Sequence, residues 1–134
     1  MILGIDFGDS RTGFAISDEN NFLARTLETF SKKGIENVRT RAVEIAKEYN
    51  VEKIVLGLPK NMNGTIGDRG KKSQKLARLL TESLEIPVVL WDERLTTVSA
   101  HNLMNETNVR GKKRKESVDK IAAAFILQSY LDSL

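Results

Sequence analysis

Carboxylates at the ends of apolar segments are the residues of this chain whose type and position could support chemistry. Asp6 ends the apolar run ILGID and lies between Gly4 and Gly8, while Asp92 and Glu93 follow directly on the run PVVLW. A charge beside a hydrophobic core needs hydrogen bonds, a counter-charge or a metal ion, and glycines leave room for a ligand near the backbone. These acids are therefore the first candidates for a functional site.

A third carboxylate, Asp119, interrupts an apolar face of the C-terminal segment, with Ala122 and Ala123 one turn later. Small side chains let a helix approach a sheet closely, so Asp119 could join Asp6 and Glu93. Three converging carboxylates repel one another and raise one another's pKa unless a divalent cation binds between them. Because oxygen ligands favour Mg²⁺ or Mn²⁺, the pattern predicts a site for one of these ions.

Each acid also has a purely structural interpretation. Asp6 could cap the turn after its strand, Asp92 could cap a following helix, and Asp119 could lie in a first helical turn. The residues alone leave these alternatives open, although Glu93 is the stronger catalytic candidate of its adjacent pair. His101 has no cysteine or second histidine to partner it, and we predict no catalytic role for it.

Apolar patterns predict the elements that must position these acids. Apolar runs bounded by turn residues predict strands over 2–6, 13–17, 22–29, 53–58 and 87–91. Apolar residues at helical spacing predict helices over 35–49, around Leu76, Leu79, Leu80 and Leu84, over about 97–105, and over 117–131. The last helix is expected to turn Val118, Ile121, Ala122, Phe125 and Ile126 inward.

The order of these elements predicts the fold class. Three strands followed by alternating helices and strands indicate an α/β domain with a mixed sheet. In that arrangement the first and fifth strands are parallel and end at one edge of the sheet, where ligands usually bind. The turn over 8–12 and the polar loop over 60–70 belong to the connections.

Length and composition limit the class of protein. The 134 residues suffice for one domain with its own core, so we predict a single domain over 1–134. The absence of cysteine excludes disulfides and thiolate metal sites and is compatible with the cytoplasm. No apolar run approaches the roughly 20 residues that span a bilayer, so we expect no membrane partner.

Positive charge is concentrated in one segment near the C-terminus. The chain has 21 basic and 18 acidic residues, and 16 basic residues remain without the five of this segment. Those five are Arg110, Lys112, Lys113, Arg114 and Lys115. The concentration predicts a contact with a polyanion, and residues 108–116 are predicted to form a mobile loop between the last two helices.

Several motifs together resemble a known family. ILGIDFG with RTGFAISD, then VLGLPKNMNGT, WDERLTT and SVDKIAAAFIL resemble the YqgF (RuvX) family of ribonuclease-H-like proteins, related in fold to the RuvC resolvases. The resemblance spans nearly the whole chain and implies a five-stranded sheet in the order 3-2-1-4-5, flanked by helices. Carried over position by position, the acidic residues of the family fall on Asp6, Glu93 and Asp119.

The resemblance implies a hydrolase, a metal-dependent endonuclease that processes the 5′ end of pre-16S rRNA during ribosome biogenesis. Asp6 would bridge two Mg²⁺ or Mn²⁺ ions, with Glu93 and Asp119 completing their shells. The expected phosphate contacts are Arg11, Asn61, Arg94, Arg110, Lys112, Lys113, Arg114 and Lys115. The expected partners are pre-rRNA or branched DNA and ribosomal precursor particles, for a monomer or a homodimer.

Three alternatives remain at this level. A Holliday junction resolvase-like DNA nuclease would use the same metal chemistry, and a non-catalytic module could bind structured RNA through the basic segment. Actin-like ATPases and sugar kinases also begin with a GIDFG-type hairpin. Those proteins clasp ATP between two such domains, whereas this length supplies one, and Asp9 in the turn would repel a phosphate.

Overall fold

A five-stranded mixed sheet organises the protein. The structure is a computed structural model that describes residues 1–93 and 111–134, without the side chains of 111–120. Its strands are β1 (Ile2–Phe7), β2 (Thr12–Ser17), β3 (Ala24–Phe30), β4 (Lys53–Leu58) and β5 (Val88–Asp92). Its helices are α1 (Ile35–Glu48), α2 (Asp68–Leu84) and α3 (Gly111–Asp132).

The strand order is β3-β2-β1-β4-β5, as expected. The first three strands form an antiparallel meander, while β4 pairs in parallel with both β1 and β5. The central position of β1 explains why its sequence is almost continuously apolar, because such a strand is buried on both faces. The carboxyl ends of β1, β4 and β5 therefore share one edge of the sheet.

Helices cover both faces of the sheet. Leu3 and Ile5 belong to the core cluster beneath α1 and α2, whereas Ile2 belongs to the cluster beneath α3. Since successive side chains of a strand point to opposite faces, this alternation assigns every position of β1 to one of the two cores. Full burial of each such aliphatic side chain stabilises the fold by about 1.5–3 kcal/mol.

Close packing of α3 on the sheet depends on Gly4. A Cβ atom at this position would lie 2.8 Å from Cβ of Leu127 and 3.1 Å from the carbonyl oxygen of Ala123. The missing side chain thus lets the helix backbone approach β1. None of the described helices combines the length and the apolarity that crossing a bilayer requires.

The prediction of a loop over 108–116 is wrong for its described part. Residues 111–116 are helical, because α3 begins at Gly111 rather than at 117. Lysine, arginine and glutamate have high helix propensities, and water screens the repulsion between neighbouring basic side chains. Residues 108–110 and the helix predicted near 97–105 lie outside the described residues, as does His101.

Two smaller expectations are also corrected. Ile121 and Phe125 are only partly buried, and the inward face of α3 continues instead through Ala123 and Leu127. The third strand begins at Ala24 rather than at 22, because the Asp18 carboxylate accepts a hydrogen bond of 2.8 Å from the N–H of Phe22 and holds a turn there.

Candidate active site at the carboxyl edge of the sheet

Asp6 lies near the end of the central strand. Its side chain projects from the same face of β1 as Ile2 and Gly4, because these positions differ by two and four residues. That face is covered by α3. Asp6 is partly exposed, as expected for an acid at the point where the apolar core ends.

Glu93 reaches the same face from β5. Its backbone N–H donates to the carbonyl oxygen of Leu58 at 3.4 Å and continues the β4–β5 pairing by one residue. Leu90 packs in the α1–α2 core and Trp91 in the α3 core. Alternation therefore places Asp92 on the α1–α2 face and Glu93 on the α3 face. The geometry separates two adjacent acids that the sequence could not separate.

The two carboxyl groups of Asp6 and Glu93 are joined by a hydrogen bond. Burial raises the pKa of Glu93, which is 8% exposed, and the nearby positive charge of Arg69 and the bond to Asp6 oppose this shift. The negative charge of Asp92 adds to the increase. Two ionised carboxyl groups in such contact repel each other, and a cation bound between them would offset that repulsion.

Gly57 makes room for the Glu93 side chain. A Cβ atom on Gly57 would lie 2.5 Å from Oε2 of Glu93 and 2.7 Å from Cδ1 of Ile126. Real Cβ atoms do not approach other atoms so closely, so any larger residue must displace the Glu93 carboxyl group and the end of the Ile126 side chain. The glycine in the run KIVLGL thus has a specific structural purpose.

Gly57→Ala is expected to lower the free energy of unfolding by about 1–3 kcal/mol, because the added methyl overpacks a filled site. Urea denaturation measures this change. Gly67→Ala is the control, since its Cβ would find its nearest neighbour, Oδ1 of Asn61, at 3.5 Å. That variant should cost less than about 1 kcal/mol. Equal losses in the two variants would contradict the crowding at Gly57.

The backbone of α3 brings Asp119 to the same edge. Tyr130 lies beside Lys53 at the start of β4, and Ile126 lies beside Gly57 near its end, so α3 runs antiparallel to β4 and β1. The N-terminal part of the helix therefore extends toward the carboxyl edge.

The register of α3 against β1 fixes the level of position 119. Ala123 contacts Gly4. Along β1, Asp6 lies two residues, or about 6.6 Å, beyond Gly4. Along α3, position 119 lies four residues, or about 6 Å, from Ala123 in the same direction. Asp119 is thus level with Asp6, although its side chain lies outside the described part of the chain.

The structure describes only some of the residues that were predicted to contact phosphates. Arg11 lies partly buried in the turn between β1 and β2. Asn61 shapes its own loop, since its N–H donates to the carbonyl oxygen of Thr65 at 2.8 Å and its amide Nδ2 donates to Oγ1 of Thr65 at 2.9 Å. Arg94 and Arg110 lie outside the described residues, and only the helical backbone is described for Lys112, Lys113, Arg114 and Lys115.

Sequence reasoning missed Arg69. This residue lies in the first turn of α2 and lines a cavity of about 250 Å³ with Lys60 and Asn61. Its charge also acts on Glu93. The available signal was an arginine directly after a glycine-rich loop that follows a buried strand, GTIGDR, which is a frequent arrangement at sheet edges.

The donor set fits a hard divalent cation. Asp6 and Glu93 offer only carboxylate oxygens, the ligands that Mg²⁺ and Mn²⁺ prefer, and a cation would end their mutual repulsion. Among the side chains of residues 1–93 and 121–134, no further metal-binding side chain joins Asp6 and Glu93 to form a group of three.

Comparison with known proteins gives full-length matches. A family model described as RuvX: Holliday junction resolvase matches residues 1–133. A Bacillus licheniformis protein named "Putative pre-16S rRNA nuclease" is 49% identical over 135 residues, covering 99% of this chain and 97% of the relative. A Bacillus subtilis protein of the same name is 48% identical and covers 99% of this chain and 98% of the relative.

Solved structures share the fold at low identity. Thermus thermophilus RuvC in complex with a Holliday junction substrate matches with a TM-score of 0.62 and 12% identity, covering 98% of this chain and 96% of that one. The fowlpox virus Holliday junction resolvase matches with a TM-score of 0.57 and 14% identity, covering 99% of both chains. At such identity the match establishes a ribonuclease-H-like fold.

Proposed function

The chain belongs to the RuvX family, and on that premise we propose that it is a divalent-metal-dependent endonuclease that hydrolyses phosphodiester bonds. The observation that carries the proposal is the hydrogen-bonded pair of Asp6 and Glu93 at the carboxyl edge of the sheet. Burying one acid beside another lowers the stability of the fold. Such pairs occur mainly at functional sites, where the chemistry requires them.

Different residues would bind the metal ions and the phosphates. Asp6 and Glu93 would hold Mg²⁺ or Mn²⁺, with Asp119 as the third ligand. When bound, such ions activate a water for attack on the phosphorus and stabilise the leaving oxygen. Arg69 and the basic residues at the start of α3 would bind and orient the phosphates, because guanidinium and ammonium groups pair with phosphate oxygens.

Asp6 would bind both ions, because it would be the carboxylate between the other two. Asp6 lies near the end of the central strand, Glu93 approaches from the β5 side, and α3 brings position 119 over the same face. Carboxyl groups bind a cation in their ionised form, so ion binding would be favoured as pH rises.

The proposed substrate is the 5′ region of pre-16S rRNA. The names of relatives 48–49% identical over nearly their whole length support an rRNA precursor over other nucleic acids. We propose accordingly that residues 1–134 act as a single nuclease domain in the cytoplasm, on ribosomal precursor particles. A Holliday junction DNA is the second candidate substrate, favoured by the description of the matching family model.

A cleavage assay tests the proposal and its alternatives. The chain is incubated with a labelled RNA that spans the 5′ end of 16S rRNA and its precursor extension, and with a four-way DNA junction, in Mg²⁺, Mn²⁺ or EDTA. We expect metal-dependent cleavage of the RNA that exceeds junction cleavage. Preferred junction cleavage would indicate the resolvase-like function. Binding of RNA without cleavage in any divalent metal would indicate the non-catalytic module.

A further inference from the structure

The N-terminal half of α2 carries a basic surface that the sequence did not predict. Arg69, Lys72 and Lys75 follow one another at intervals of three residues, and all three are exposed. Six residues of helix cover about 9 Å, which exceeds the axial rise of about 3.4 Å per nucleotide of one strand. The surface is therefore long enough to contact more than one phosphate.

One end of this surface adjoins the carboxyl pair. Arg69 lines the cavity of about 250 Å³ with Lys60 beside it, and Pro59 of the same cavity directly follows β4. Helix α2 is pressed onto this strand end, since a Cβ on Gly70 would lie 2.8 Å from the carbonyl oxygen of Pro59. The position of Arg69 relative to the edge is thus fixed by packing.

The loop that forms the other wall of this cavity is also well defined. The N–H of Gly64 donates to the carbonyl oxygen of Asn61 at 2.8 Å, and the N–H of Thr65 donates to Oδ1 of Asn63 at 3.1 Å. Gly64 adopts a φ of 85°, which favours glycine at this turn. The cavity is accordingly formed before any ligand binds, which lowers the entropic cost of binding.

The other end adjoins the turn that follows Asp6. Lys72 and Lys75 line a second cavity, of about 310 Å³, with Gly8 and Asp9 of the β1–β2 turn. Nζ of Lys72 lies 3.5 Å from a carboxylate oxygen of Asp9, and both side chains are more than 60% exposed. The ion pair holds Lys72 at the turn while leaving most of its surface open to a further anion.

The charges on α2 are poorly compensated. Lys71 and Lys75 are four residues apart, and Lys75 and Arg78 are three apart, spacings at which like charges on a helix destabilise it by a few tenths of a kcal/mol each. No ion pair between residues of the described part of the chain neutralises these three side chains. A bound polyanion would remove that repulsion.

We infer that the N-terminal half of α2 is a nucleic-acid-binding surface, on which Arg69, Lys72 and Lys75 bind successive phosphates of the substrate beside the carboxyl pair. The inference rests on the proposed nuclease function for the choice of polyanion. It adds a contact on the α1–α2 side of the sheet to the basic start of α3 on the opposite side, so the substrate crosses the carboxyl edge.

The test compares two variants that lose the same charges. Arg69→Gln/Lys75→Gln removes one arginine and one lysine from the α2 surface, and Arg25→Gln/Lys47→Gln removes one of each from exposed sites near the opposite edge of the sheet. Both are made in the Asp6→Asn background, which separates binding from cleavage. Dissociation constants for the labelled precursor RNA are measured by fluorescence anisotropy across a salt series in Mg²⁺.

The α2 variant is expected to bind RNA about tenfold more weakly, with a salt slope lower by about one for each lost phosphate contact. The control should lose less than about threefold. Asp9→Asn should strengthen binding, because it releases Lys72 and removes a negative charge. Equal losses of RNA affinity in the two double variants, or an unchanged salt slope, would contradict RNA binding by the α2 surface. If the wild type binds RNA through α2 but never cleaves, the surface stands and the nuclease proposal fails.

Discussion

Asp6→Asn is expected to reduce the rate of phosphodiester cleavage by about 10³-fold or more while leaving the fold intact. The amide removes the negative charge that two cations would share but can still donate a hydrogen bond to Glu93. Single-turnover cleavage of the precursor RNA in Mg²⁺ and in Mn²⁺ measures the loss, and circular dichroism with a urea titration checks the fold.

Asp92→Asn is the matched control for this prediction. The same chemical change is made one residue before Glu93, on the opposite face of β5, where Asp92 is partly exposed. We expect less than a tenfold effect on the cleavage rate, because this side chain does not share a face with Asp6. Comparable losses in Asp6→Asn and Asp92→Asn would mean that the reaction does not depend on the α3 face.

Mg²⁺ or Mn²⁺ is expected to raise the melting temperature of the wild type but not of Glu93→Gln. A ligand at one hundred times its dissociation constant stabilises the folded state by about 2.7 kcal/mol, a shift on the order of 10 °C for a domain of this size. The glutamine keeps the shape of the side chain but lacks the charge that attracts the ion. Differential scanning fluorimetry over a metal titration measures the shift without any need for activity.

The same variant should be the more stable protein in EDTA. Burial raises the pKa of Glu93 above its unfolded value, so its contribution to stability is fully present below the unfolded pKa and is lost as pH rises through the folded pKa. Glutamine does not titrate, so at neutral pH the variant should be more stable than the wild type. Melting curves in EDTA between about pH 4 and 8 should show this gap widening with pH.

Lys60→Gln is the control for charge effects in these melts, since it changes a partly exposed loop residue outside the carboxyl pair. Its melting temperature should respond to Mg²⁺ as that of the wild type does. Two results would contradict a metal site at Asp6 and Glu93. One is a Mg²⁺ shift of equal size in Glu93→Gln, and the other is a lower stability of that variant in EDTA at neutral pH.

Much of the fold could be predicted from local patterns. The strand KIVLGL was located to the residue, and the other described strands and α1 to within two residues, because burial of regular elements imposes period-2 and period-3.6 patterns on the chain. The start of α3 could not be predicted in the same way. A dense run of basic residues is typical both of a solvated loop and of a helical end, and the choice depends on what lies next to it.

The candidate site was predictable only in part. Asp6 and Glu93 each follow an apolar run, which is a local signal, and the structure brings them together. The choice of Glu93 over Asp92 depends on which face of β5 packs against α3, and that is a property of the sheet rather than of the segment. Arg69 had only a weak local signal because its relation to Glu93 arises from the packing of α2 against the end of β4.

By itself, the sequence determined where the acids interrupt the apolar pattern, where most of the described strands and helices lie, and, through resemblance, the family and the strand order. The tertiary structure alone decided which acids share a face, why Gly57 must lack a side chain, and that α2 places basic residues on the second side of the edge. The reason is physical. Periodicity records that a residue is buried, but only the register of neighbouring elements determines what it is buried against.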